Sequence, residues 1–148
     1  MIGGVVDRQL LLKASTTSQY LGRVVHRYLE PTGIPAFLLA LVTHIRANEP
    51  VSPTGVSTAS GVPPTTLRDN IQRLVERGLV RRVPNPADAR SYLLELTPAG
   101  RAVTERAGPA LAGAYDELER RLPHPLADYE RMLDELNAAL AAMLEPGG

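Results

Sequence analysis

The chain has 148 residues, 44% of them hydrophobic, with sixteen basic side chains balancing sixteen acidic ones. That is the length of one domain, with enough apolar material for a core of its own. Because cysteine is absent, disulfides, thiolate zinc sites, cysteine nucleophiles and thiol redox sensing are excluded. The three histidines, His26, His44 and His124, are scattered along the chain, so neither a metal nor a cofactor is expected.

The first residues, "MIGGVVDRQLLLK", show no basic segment leading into a long apolar stretch, and no apolar run approaches 18 residues. The expectation is a cytoplasmic protein without membrane association. From about Val5 to Glu30 a helix is predicted, with Val6, Leu10, Leu21, Val24, Val25 and Tyr28 apolar, and "PTG" stops it. The next helix, about Ala36 to Asn48, is apolar nearly all round and is expected at the buried centre. After the loop "NEPVSPTG", residues about 54–60 form a short helix ending at Gly61, and Pro63 and Pro64 suit the first turn of another. That helix, about 64–77, places Leu67, Ile71, Leu74 and Val75 on one face. Thr65, Asp69, Gln72, Arg73 and Glu76 lie opposite, with Thr66 and Arg68 at the margins, and Gly78 is a natural cap.

Two strands follow, "LVRRV" and "RSYLLELT", joined by the proline-bounded "PNPADA". Leu93 interrupts the outward polar positions Ser91, Glu95 and Thr97, and a hairpin this small must lean on the helices. From Pro98 the chain returns to helix, with Leu111, Tyr115, Leu118 and Leu122 in register and a kink expected at Gly108-Pro109. The last helix, 125–145, repeats Leu126, Tyr129, Leu133, Leu136, Leu140 and Met143 at steps of three and four. The long terminal helices exceed what one core needs, which implies a helical dimer interface; an intramolecular bundle is the alternative.

Charge is unevenly placed. Residues 1–62 carry five basic and three acidic side chains, residues 63–101 seven and four, and residues 102–148 four and nine. Positive charge therefore gathers in the helix and hairpin of the middle segment.

Helix, turn, helix, strand, arginine loop, strand is the order of a winged helix-turn-helix, so the predicted fold is mainly α with a small antiparallel β wing. An α-helix about 10–12 Å across fits the major groove of DNA, where every base pair shows a distinct pattern of donors, acceptors and methyls. The exposed N-terminal half of the helix at 64–77 is then the reading head, with Pro64, Thr65, Thr66, Arg68, Asp69 and Arg73 as candidates. Arginine donates in pairs to guanine, threonine meets a phosphate or a thymine methyl, and Asp69 accepts from cytosine. In the hairpin, Asp88 and Arg90 are two residues apart and point the same way if the segment is extended. Arg90 then reaches the minor groove while Asp88 orients a basic neighbour. Arg81 and Arg82 lie where phosphates pass, or are simply solvated strand charges.

At these residues "GVPPTTLRDNIQRLVERGLVRR", Asp88-Ala89-Arg90 and "LTPAG" resemble the winged-helix core of the MarR family of bacterial transcription regulators, over about residues 51–101 without gaps. The resemblance implies a single domain over 1–148, in which 1–33 and 101–148 form a helical dimerisation region around a DNA-binding core at 34–100. It implies a homodimer that binds a pseudo-palindromic operator on double-stranded DNA, represses, and releases DNA when a small, often aromatic and anionic, ligand binds between the two regions. Asp88 and Arg90 match the family's wing acid and arginine, Gly78 its helix-ending glycine, and Thr97-Pro98-Ala99-Gly100 its return to helix. Ala89 stands where a further arginine is frequent, and Asp69 occupies a position that is frequently basic. The lack of cysteine excludes the peroxide-sensing branch.

Candidate ligand-pocket residues are Tyr20, His26, Tyr28, His44 and Arg46, whose aromatic, imidazole and guanidinium groups suit an aromatic anion. His44 also shares a face with Phe37 and Leu41, where a hydrogen-bonded core histidine is the simpler expectation. A winged helix serving only protein interaction or dimerisation is the competing reading. An enzyme is disfavoured, since the sequence has no Gly-rich phosphate loop, paired catalytic carboxylates or histidine motif.

Overall fold

Proline and glycine set most of the helix boundaries in the computed structural model, which describes residues 9–146. Helix α1 spans Leu10–Leu29; the expected start near Val5, with Val6 on its apolar face, lies outside the described residues. A single 3-10 turn at Glu30–Thr32 follows, and Gly33 reverses the chain at φ 70°. Helix α2, Ala36–Asn48, begins directly after Pro35 and buries Leu38, Leu39, Leu41, Val42 and Ile45. Its burial is one-sided, contrary to expectation: Phe37 is 48% exposed and His44, on the same face, is only partly buried. His44 is therefore not a fully buried core histidine, although Leu41 on the same face is buried.

Helix α3, Pro53–Ser60, is capped by the Ser52 hydroxyl, which accepts from the Gly55 N–H at 3.0 Å, and it ends at Gly61 with φ 70°. The Ser57 hydroxyl donates to the Val62 carbonyl at 2.7 Å and ties down the turn into the next helix. Helix α4, Pro64–Glu76, follows Pro63 and buries Leu67, Ile71 and Leu74 almost completely. Full burial of each such side chain stabilises by about 1.5–3 kcal/mol, enough to hold α4 in place while its other face stays in water.

Gly78, at φ 68°, turns the chain into strand β1, Val80–Pro84. It pairs antiparallel with β2, Tyr92–Leu96, in the register Val80 to Leu96 through Pro84 to Tyr92. Leu94 and Leu96 point into the core. The second strand starts later than expected because Arg90 and Ser91 belong to the connecting turn. Val51, placed in a loop by sequence, exchanges backbone hydrogen bonds with Leu94 at 3.1 and 2.8 Å and adds one bridge to the hairpin's edge. The fold is thus mainly α with a small antiparallel wing.

Helix α5, Pro98–Arg121, starts at the Thr97 cap and runs on through Gly108-Pro109. Pro109 lacks the N–H that the Glu105 carbonyl would otherwise receive. Helix α6, Leu126–Leu144, buries no residue, so it is not the last member of an intramolecular bundle. The core gathers α2, α3, α4 and the wing, with Val103 and Ala107 closing it from the first turns of α5.

Candidate nucleic-acid interface

Helix α4 presents its polar face because its apolar residues recur at steps of four and three and are all turned inward. Pro64, Thr65, Thr66, Arg68, Asp69 and Arg73 are all exposed. No acidic residue lies in its first turn and no side chain caps it. The N–H groups of Thr65 and Thr66 have no intrahelical acceptor, and the helix dipole adds a partial positive charge at that end.

The arginines fall into two groups. Arg68, Arg73 and Arg90 make no ion pair among the described residues. Arg81 donates twice to the Glu95 carboxylate across the strand pair, at 2.8 and 3.2 Å. Arg82 donates to Gln72 of α4 at 2.9 Å and lies over the Tyr92 ring at 5.2 Å. Gln72 in turn donates to Glu76 at 2.9 Å. Arg82 therefore braces the wing against α4, and Arg81 is already balanced by Glu95. Gln72 and Tyr92 enter the site as its supports, a role that a single exposed polar residue and a strand aromatic do not announce in sequence.

The wing tip corrects the expectation of an extended segment. The Asn85 side chain accepts from the Ala87 N–H at 3.0 Å, and the Asp88 side chain accepts from the Arg90 N–H, also at 3.0 Å. Ser91 N–H donates to the Asp88 carbonyl at 3.1 Å. Asn and Asp bond their own backbone two residues on and so favour turns over strands. Asp88 thus orients the backbone of Arg90, not a guanidinium, and the Arg90 side chain stays exposed at the tip.

The five residues expected to share a ligand pocket are dispersed. His26 alone lines a cleft of about 720 Å³ between the second half of α1 and the start of α2, with Leu21, Val25 and Phe37 among its walls. Tyr20 is exposed near Arg23, Tyr28 faces Gly113 of α5, and Arg46 donates to Thr104 of α5. Helix periodicity places such residues on faces without saying which faces meet. Among the described residues no three His, Asp or Glu side chains are grouped to hold a metal.

Residues 39–91 match a family model described as the MarR family. The multiple antibiotic resistance protein MarR of Salmonella typhimurium is 32% identical over 84 residues, which are 57% of this chain; the match spans 58% of that relative's length. A mutant MarR from E. coli, solved in complex with operator DNA, superposes with a TM-score of 0.79 at 27% identity over 87% of this chain and 94% of that one. The M. tuberculosis transcriptional regulator MosR, solved in complex with DNA, gives 0.80 at 26% identity over 91% and 98%.

Proposed function

We propose that the chain, similar to the MarR family over residues 39–91 and to MarR solved with operator DNA in fold, is a homodimeric transcriptional repressor of that family that reads a pseudo-palindromic operator on double-stranded DNA. One observation carries the reading: α4 exposes Thr65, Thr66, Arg68, Asp69 and Arg73 beside a wing that holds Arg90 outward. Direct readout requires a polar helix face free of intramolecular partners.

Residues 34–100 form the DNA-binding core in this reading, and 1–33 with 101–148 the dimerisation region. The occupant of the uncovered apolar faces is the second copy. Leu133 and Leu140 of α6 are 52% and 47% exposed, and Leu10, Leu21 and Val24 of α1 are likewise uncovered. Pairing them buries apolar area at about 25 cal/mol per Å² and sets the two α4 helices for successive major grooves, roughly 34 Å apart. A small aromatic or anionic effector in the His26 cleft, against α1 and the start of α2, favours a different spacing and so shifts the population away from DNA. Cytoplasmic placement follows from this role; among the described residues no single helix is long and apolar enough to cross a membrane.

Selection of duplexes from a random pool by the purified protein tests the reading. The expected product is an inverted repeat with half-site centres about one turn apart, bound less tightly by Arg90→Ala by roughly 1–3 kcal/mol. No enriched motif, with weak sequence-independent binding unaffected by Arg90→Ala, makes the chain a protein-interaction module instead.

A further inference from the structure

We propose that Glu49 is a positioning residue that sets the angle of the wing against α4, and with it the place where Arg90 meets DNA; this rests on the DNA-binding reading above. Glu49 directly follows α2, and its side chain is only 14% exposed. One carboxylate oxygen accepts the Leu96 N–H of β2 at 2.7 Å, and the other pairs with Arg101 in the first turns of α5 at 2.5 Å.

The ladder explains why a carboxylate stands there. Val51 and Leu94 exchange both backbone hydrogen bonds, so an antiparallel continuation would next pair residue 49 with residue 96. Residue 49 is the cap that closes α2, and its side chain supplies the acceptor that its backbone would have given in a continued ladder. A charged acceptor makes a stronger hydrogen bond than a carbonyl, and Arg101 balances the charge. One turn earlier on α2, Arg46 donates to Thr104 of α5. The end of α2, the base of the wing and the start of α5 therefore converge on a single side chain.

The wing makes this junction a lever. Arg90 lies six residues from Leu96, about 15–20 Å along the strand. A tilt of about 10° at the base displaces the tip by about 3 Å, as much as a whole hydrogen-bond length. Among the described residues, Arg82 to Gln72 ties the middle of β1 to α4, and Thr97, just past β2, donates to the Gly78 and Leu79 carbonyls at the exit of α4. Glu49 is the side chain that ties the base of β2 to α2 and α5.

Because the chain lacks cysteine, an Ala89→Cys background carries a single nitroxide at the wing tip. Glu49→Ala is expected to raise the label's mobility in the DNA-free protein. It should also weaken binding to the duplex selected by the unmodified protein about tenfold, the scale of one lost base contact, while binding to a random duplex is unchanged. Glu49→Gln keeps an oxygen for the Leu96 N–H and is expected to restore most of the label's immobility. Should Glu49→Ala fail to fold, Glu49→Asp, whose shorter side chain withdraws the acceptor but keeps the charge, is read in the same two assays. Unchanged label mobility in the folded variant overturns the proposal, as does equal loss on selected and random duplexes. If the unmodified protein selects no duplex, the DNA-binding reading has failed, and the label alone still decides whether Glu49 sets the wing.

Discussion

Replacing Gly100 with alanine places a methyl carbon 2.1 Å from the carbonyl oxygen of Leu79, where two stretches of backbone meet. That carbonyl accepts the Thr97 N–H at 3.1 Å, and its neighbour, the Gly78 carbonyl, accepts the Thr97 hydroxyl at 2.5 Å. Neither side is a flexible side chain that can swing aside, so α5 and the exit of α4 must part by about 1 Å, an overpacking strain of about 1–3 kcal/mol. The two Thr97 bonds are lost at about 1 kcal/mol each, and the better helix propensity of alanine returns about 1 kcal/mol. The net destabilisation is about 2–4 kcal/mol, or roughly 5–15 °C in Tm for a chain of this size. Urea and thermal unfolding at a fixed protomer concentration measure it, since the proposed dimerisation would make both transitions concentration-dependent. Gly108→Ala is the control: it lies on the same helix with nothing within 4 Å of the added carbon, and it should stabilise by up to about 1 kcal/mol. If the two variants prove equally stable, the close approach at Gly100 does not exist.

Salt titrations separate the two groups of arginines. Arg73→Ala should flatten the dependence of log affinity on log salt by about one phosphate contact per protomer, whereas Glu95→Gln, by releasing Arg81 from its cross-strand partner, should steepen it. Leu133→Glu, on the uncovered face of α6, should give a folded monomer by sedimentation with strongly reduced operator affinity; an unchanged dimer would place the interface elsewhere. The Glu117 carboxyl, held below its usual pKa first by the Arg120 hydrogen bond and then by that of Arg121, should titrate below an ordinary glutamate in NMR. A depressed folded pKa gives a contribution that is present above the unfolded value and lost as the pH falls through the folded one. The group is exposed, so high salt should erase most of the shift.

The helices were legible in the sequence because their ends are local chemistry. Pro53, Pro64 and Pro98 stand at first turns, and Gly61 and Gly78 take the left-handed conformations that close α3 and lead out of α4; each needs only its immediate neighbours. The burial of Leu67, Ile71 and Leu74, and hence the outward face carrying Arg68 and Arg73, followed from spacing alone. At the wing tip two local rules competed, the two-residue period of a strand and the self-capping of Asn85 and Asp88, and the side-chain hydrogen bonds prevailed. Other features were decided only by tertiary structure. Arg46 and Thr104 are 58 residues apart, and Glu49 and Leu96 are 47 apart; no periodicity links such pairs. The five residues expected around one ligand could be assigned to helix faces by sequence, but the packing of α1 and α2 against α5 determined which faces met. Periodicity fixes how a helix turns its own side chains, while the neighbour it turns them toward is set by the folding of distant segments around a shared core.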